Sequence, residues 1–236
     1  MKITVVNGNT RHGSTWHCMD LIRQEIEKTE KTSVTEFFLP TDMPHFCLGC
    51  FSCFSNGEKT CPHETHITPI VEAIEDADLV ILTSPVYGMD VSGQMKAFLD
   101  HLCFMWMSHR PNPKMFEKVG LTISTTAGAG LGHTTKTMKN SLTFWGVKKI
   151  FSCKFPVSAM SWSEISEKKQ AEINEETKKL AARIVKAVNH VDNQPNPLFR
   201  SFFFEMMKRM QRKNDWNPTD RAHWEGLGWL KGKKPF

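Results

Sequence analysis

Five short apolar runs alternate with helical patterns along this chain, and few architectures accept that order. The runs are Lys2–Val6, Ser33–Leu39, Leu79–Thr83, Val119–Ser124 and Lys149–Phe155. The helical patterns fall at Thr15–Glu30, about Thr68–Asp76, Ser92–Met105, about Thr134–Phe144 and Ser163–Val188. Strands separated by helices pair in parallel through crossover connections and bury both faces of their sheet. Five of them predict an α/β three-layer sandwich of the flavodoxin-like kind, strand order 2-1-3-4-5, with a C-terminal helical extension. In such a sheet the ligand belongs at the C-terminal strand ends, where the order reverses.

Three strand ends carry unusual residues. The first is Asn7-Gly8-Asn9-Thr10-Arg11-His12-Gly13-Ser14-Thr15. A Gly- and hydroxyl-rich turn before a helix offers free amides and the positive end of a helix dipole, which suits phosphate. Gly8 and Gly13 have Walker A spacing, but no Lys follows to reach a β/γ-phosphate, so a nucleoside triphosphate is not expected. Asn9, Arg11, Ser14 and Thr15 suit one phosphate monoester such as that of FMN. An ordinary βα loop with a Ser N-cap would read the same way.

The second end is Ser84-Pro85-Val86-Tyr87-Gly88, which holds the chain's single tyrosine. A planar ring there can lie against a flat heterocycle, with Pro85 fixing the turn and Gly88 admitting close approach. The third, Thr125-Thr126-Ala127-Gly128-Ala129-Gly130, offers amides and hydroxyls that can bind a flavin edge.

Cys47, Cys50, Cys53 and Cys61 form a C-x2-C-x2-C-x7-C cluster, and the chain has seven cysteines. The spacing admits three occupancies: a Cys₄-held iron–sulfur centre shielded by Phe46, Phe51 and Phe54, a zinc ion, or free thiols. His45, His63 and His66 beside it read as loop histidines. Cys18, Cys103 and Cys153 read as buried hydrophobes, and Met89, Met95, Phe104, Met105, Trp106 and Met107 as core or dimer contacts.

The chain of 236 residues divides into a core over 1–192 and an extension over 193–236, the break marked by Pro195 and Pro197. From Asn196 onward nine Lys/Arg face four acids, so the whole net charge of +5 lies there and the body is neutral. A neutral body argues against nucleic-acid binding. Leu198, Phe199, Phe202, Phe203, Met206, Met207 and Met210 make an apolar stripe at helical spacing, with Arg and Lys opposite. Docking on protein, within the subunit or across to a partner, is expected of it, ahead of a membrane surface. No run approaches the ~18 apolar residues of a membrane span. The first residues read as a strand rather than a leader, so a cytoplasmic protein is expected.

These motifs resemble those of the NADPH-dependent FMN reductase family over about residues 1–157. Gly8–Thr15 resembles its phosphate loop, with Asn9-Thr10 in place of Ser-Pro. Ser84–Asp100 resembles its S-P-x-Y…S-G-x-x-K-x-x-x-D block, and Cys47–Cys61 the cysteine insert of the iron–sulfur flavoproteins within it. The resemblance implies FMN with its phosphate on Asn9, Arg11, Ser14 and Thr15. The ring would lie between Pro85, Val86, Tyr87 and Gly88 on one side and Thr125, Thr126, Gly128 and Gly130 on the other. It further implies NAD(P)H as reductant, a small-molecule acceptor such as a quinone or flavin, and a homodimer or dimer of dimers. The alternative it carries is an iron–sulfur flavoprotein, with a [4Fe-4S] cluster on Cys47, Cys50, Cys53 and Cys61 and ferredoxin-like partners.

Overall fold

The computed structural model describes all residues, Met1–Phe236. Its five strands are β1 (Lys2–Asn7), β2 (Ser33–Phe38), β3 (Leu79–Thr83), β4 (Val119–Thr126) and β5 (Lys149–Pro156). All pair in parallel, in the order β2-β1-β3-β4-β5. That is the expected flavodoxin-like order. β3 is buried at all five positions, which is why it reads as an unbroken Leu-Val-Ile-Leu-Thr run. Edge strand β5 alternates instead, with Lys149, Ser152 and Lys154 outward and Phe151, Cys153 and Phe155 inward.

The period of two splits the core. Leu79 and Ile81 face α1 (Ser14–Glu27) and α6 (Glu167–Asn189), with Ile22, Ile26 and Ile184. Val80 and Leu82 face α3 (Glu64–Asp76), α4 (Gly93–His101) and α5 (Leu131–Phe144), with Ile70, Phe98 and Leu142. Each such side chain contributes about 1.5–3 kcal/mol when fully buried. Between them the two layers fix where the strand ends point.

The end of α4 departs from the sequence pattern for a tertiary reason. The pattern over Ser92–Met105 ends at His101, and a 3₁₀ turn over Cys103–Met105 follows. There the chain doubles back: Met107 N–H donates to Phe144 O and Arg110 N–H to Phe104 O. At the start, Ser92 caps α4, its Oγ accepting from Met95 N–H at 3.2 Å.

The larger departure is in α7 (Leu198–Gln211). The residues packed on the body are Arg200, Phe204, Met207, Lys208 and Gln211. Of the predicted stripe, Leu198, Phe199, Phe202, Met206 and Met210 are exposed, Phe202 at 68%. The helix is rotated away from its most apolar face because Arg200 finds carbonyl acceptors inside. Its guanidinium donates to Phe116 O at 2.9 Å and Gly146 O at 3.0 Å, and stacks over the Phe116 and Phe236 rings. Burial without an acidic partner lowers its pKa to about 10. Together α7, α8 (Pro218–Gly226) and the final 3₁₀ turn build a third, smaller core of Met107, Phe116, Phe204, Met207, Trp224 and Trp229.

Candidate functional site

The loop after β1 is clamped against its neighbours. Gly8 N–H donates to Thr83 O at 2.7 Å, and Ser92 Oγ donates to Gly8 O at 2.5 Å. A Cβ at Gly8 would lie 2.9 Å from both Ser92 Oγ and Thr83 O, so the approach requires glycine. The helix it enters is not capped by a side chain: Gly13 holds the N-cap position. The first amide with a helical partner is that of His17, which donates to Gly13 O at 3.0 Å. The amides of Ser14, Thr15 and Trp16 therefore stand at the positive end of α1, ahead of the first helical bond. Ser14 is therefore not an N-cap, and the free amides at this helix start are of the kind that suits an anion.

The three loops are tied together. Thr15 Oγ1 and Thr125 Oγ1 are 2.6 Å apart, joining the first loop to the third. Val86 N–H donates to Thr125 O at 3.1 Å, joining the second to the third. Gly130 has φ +99°, and a Cβ there would lie 2.6 Å from Val86 Cγ1.

Between the loops lies a cleft of about 270 Å³. Asn9, Arg11, Ser14 and Thr15 line one end, Pro85, Val86 and Tyr87 one wall, and Thr125 and Thr126 another. Gly88, Gly128 and Gly130 do not line it; they shape the turns beside it. Thr126 Oγ1 is engaged within its own turn, accepting from Gly128 N–H at 3.1 Å and donating to Ala129 O at 3.2 Å. The cleft also takes Val157, Ala159 and Met160 from the segment after β5. That segment follows a strand end like the others and carries Ser158, Ser161 and Ser163, but it has no glycine and matches no phosphate- or flavin-binding motif. The donor set fits a phosphate-bearing flat heterocycle: free amides, hydroxyls and Arg11 for the dianion, and an apolar slot beside Tyr87 for the ring.

A second cavity, about 300 Å³, gathers the thiols. Cys47, Cys50, Cys53 and Cys61 all line it, with Phe51 and Phe54. The segment over residues 43–51 has no regular structure, and Phe51 sits in the left-handed region at φ +58°. One turn of helix, α2 (Ser52–Asn56), follows. Thr60 Oγ1 bonds to Ser52 O at 3.0 Å, which brings Cys61 back beside Cys53. Burial, then the nearby Cys61, pushes the Cys53 thiol up to about 11, with Cys47 and Cys50 adding and Arg110 opposing. Burial also pushes Cys61 up. Cys53 and Cys61 are half-buried while Cys47 and Cys50 are exposed. A metal charge entering the cavity would favour the thiolate of each, and four clustered cysteines suit iron–sulfur ligation.

Two groups here differ from the sequence expectation. Cys103 is half-buried on the wall of this cavity rather than in the core. His63 is no free loop histidine: its Nδ1 lies 3.0 Å from Nε2 of buried His101. His101 Nδ1 donates to Ala97 O at 2.7 Å, which leaves Nε2 as the acceptor for His63. The ligand atoms of Cys61, His63 and His101 lie within 4.8 Å of one another. Met89, expected as a core or dimer contact, lies outside the core.

Comparison with known proteins bears on the fold and the family. The chain is 30% identical over 149 residues to an iron–sulfur flavoprotein of Archaeoglobus fulgidus, covering 62% of this chain and 64% of that one. It is 33% identical over 107 residues to an iron–sulfur flavoprotein of Clostridioides difficile, covering 44% and 47%. The chain thus spans about half to two thirds of the length of these relatives. An azoreductase from Bacillus anthracis shares the fold at 14% identity, with a TM-score of 0.60 over 78% of this chain and 99% of that one. The family model for NADPH-dependent FMN reductase matches residues 1–160. The chain belongs to the NADPH-dependent FMN reductase family, a family of FMN-dependent oxidoreductases.

Proposed function

We propose that this protein binds FMN in the cleft, takes a hydride from NAD(P)H and reduces a small acceptor, a quinone or a flavin. The observation that carries this is the uncapped start of α1 facing a slot built by three bonded strand-end loops. When bound, FMN supplies two-electron hydride chemistry. The chain's own task is then to hold and tune the group. Arg11, the hydroxyls of Ser14 and Thr15 and the amides of the first turn take the phosphate. Tyr87 and Val86 limit the tilt of the ring, and the Ala127 amide supplies a donor where reduction builds negative charge. No side chain is needed as acid or base.

Residues 1–192 act as the flavin unit in this reading, and residues 193–236 as an extension. The working form is a cytoplasmic homodimer or dimer of dimers. No helix is long and apolar enough to cross a membrane. The test is titration of apo-protein with FMN, followed by NADH and NADPH oxidation with a quinone. FMN binding with acceptor-dependent turnover is expected; a protein with no affinity for FMN refutes it.

A second reading is favoured by one observation. All four clustered thiols face one cavity, as in a protein that carries an iron–sulfur centre beside FMN and trades electrons with ferredoxin-like partners. Cys47, Cys50, Cys53 and Cys61 would hold it. Absorbance, iron and sulfide measured on anaerobically purified protein decide. About four irons per chain fit a Cys₄-held [4Fe–4S] centre, and flavin bands without iron leave the cysteines as free thiols.

A further inference from the structure

We propose that the C-terminal extension sets the geometry of the thiol segment, and that Arg110 is the positioning residue through which it does so. The inference rests on the second reading only for its iron readout.

Bonds between Ser52 and Thr60 close the thiol segment on itself but leave the end of its one helical turn unmet. Helix α2 has five residues, too few to be stable alone. Its last carbonyls, those of Cys53, Phe54 and Ser55, have no partners within so short a helix. All three are met from outside. Arg110 Nη2 donates to Cys53 O, and Arg110 Nη1 donates to Phe54 O at 3.3 Å. Thr219 Oγ1, from α8, donates to Ser55 O at 2.6 Å. A cation and a hydroxyl thus close the negative end of α2.

Arg110 is in turn fixed by the extension. Its Nη1 donates to Asp220 Oδ1 at 2.5 Å, and Asp220 is fully buried in the first turn of α8. The other carboxylate oxygen of Asp220 lies 2.7 Å from His109 Nδ1. Three more bonds from the extension grip the stretch around Arg110. Gln211 Nε2 donates to Ser108 O at 2.7 Å, Trp224 Nε1 to His109 O at 2.6 Å, and His223 Nε2 to Pro111 O at 3.0 Å. The path is contiguous: α7 and α8 hold residues 108–111, and Arg110 and Thr219 hold residues 53–55. The planar fork of Arg110 serves an acid and two carbonyls at once, which a lysine ammonium cannot do in the same geometry. The orientation of Cys53 toward the shared cavity depends on this hold.

The test uses the full chain with three substitutions, Arg110→Lys, Asp220→Asn and Thr219→Val. Three quantities are read: iron and sulfide content after anaerobic purification, alkylation of Cys53 by iodoacetamide followed by peptide mass, and FMN affinity. Arg110→Lys and Asp220→Asn are expected to lose iron and to speed Cys53 alkylation roughly tenfold through local opening, with FMN affinity unchanged. Thr219→Val leaves the ion pair whole, so it remains informative if the other two fail to fold; roughly threefold faster alkylation is expected of it. Wild-type protein without iron removes the cluster reading alone, and the alkylation ratio still decides this one. Alkylation equal to wild type in the folded variants overturns the proposal. So does a parallel fall of FMN affinity and Tm, which would make these residues general supports of the fold.

Discussion

The flavin cleft and the thiol cavity are similar in volume and opposite in construction. The cleft is built from the ends of β1, β3 and β4, so the sheet that forms the core also sets its walls. The cavity is built from a segment with little regular structure, and its shape is imposed from outside by residues more than fifty positions away. A site made of strand ends inherits the rigidity of the core. A site made of loop inherits whatever holds the loop, and local stability differs accordingly across one molecule.

Substitutions can separate the two. The largest effect is expected from Ser14→Glu, which puts a carboxylate where the phosphate would sit: FMN affinity should fall by at least ~100-fold, as for a buried like-charge contact. Cys53 alkylation should not move, and a flavin titration beside a thiol assay reads both. Next comes Trp224→Ala, which empties a fully buried site in the third core and removes the bond to His109 O. It should cost about 3–5 kcal/mol in denaturant unfolding. It should also expose the thiols while FMN affinity holds; an equal loss at both sites would erase the contrast.

Arg200→Ala leaves Phe116 O and Gly146 O without their donor, at an expected cost of about 1–3 kcal/mol. Its effect should be felt in the extension first, measurable as earlier hydrogen exchange in α7 than in β3.

The pH response is smaller and uneven. Burial lowers the pKa of His223 below 6.5, and the Arg110 charge adds to it. Burial likewise lowers His17, which stacks on Trp162 near the cleft, and His63 at the thiols. The sign follows from the neutral form being favoured in the fold. Above pH 6.5 both folded and unfolded chains are neutral and stability is full. As pH falls below 6.5 the unfolded chain takes up protons the folded one resists, and stability drains. Tm should therefore drop between pH 7.5 and 5.5, and His223→Gln should flatten part of that slope. Smallest of all, Lys96→Ala removes an exposed pair with Asp100 and should change stability by less than about 0.5 kcal/mol.

This contrast also explains what could be read from sequence. The strands and the cleft were legible because period, glycine placement and hydroxyl clusters are local signals, and Gly8 is required by a contact one strand away. Val157, Ala159 and Met160 escaped because nothing in their chemistry marks them; only the fold brings them to the cleft. The periodicity of Phe and Met marks α7 as amphipathic but says nothing of the two carbonyls that take Arg200 inside, so Phe203 and Met207 pack on the body while most of the stripe stays outward. The hold on the thiols was invisible for a similar reason. No spacing rule links Cys53 to Arg110 or Arg110 to Asp220.

The hold of Asp220 on Arg110 has a consequence for how the chain is made. Ribosomes deliver residues in order, and the cysteines leave the tunnel long before α8 exists. The sheet and both of its covering layers are complete once α6 has emerged, so a flavin-sized cleft can form before α7 and α8 are made. The thiols must wait for Asp220 and Thr219, and until then they are loosely held and open to oxidants. If the extension sets the thiol segment as proposed, the cleft matures first and the thiol cavity last.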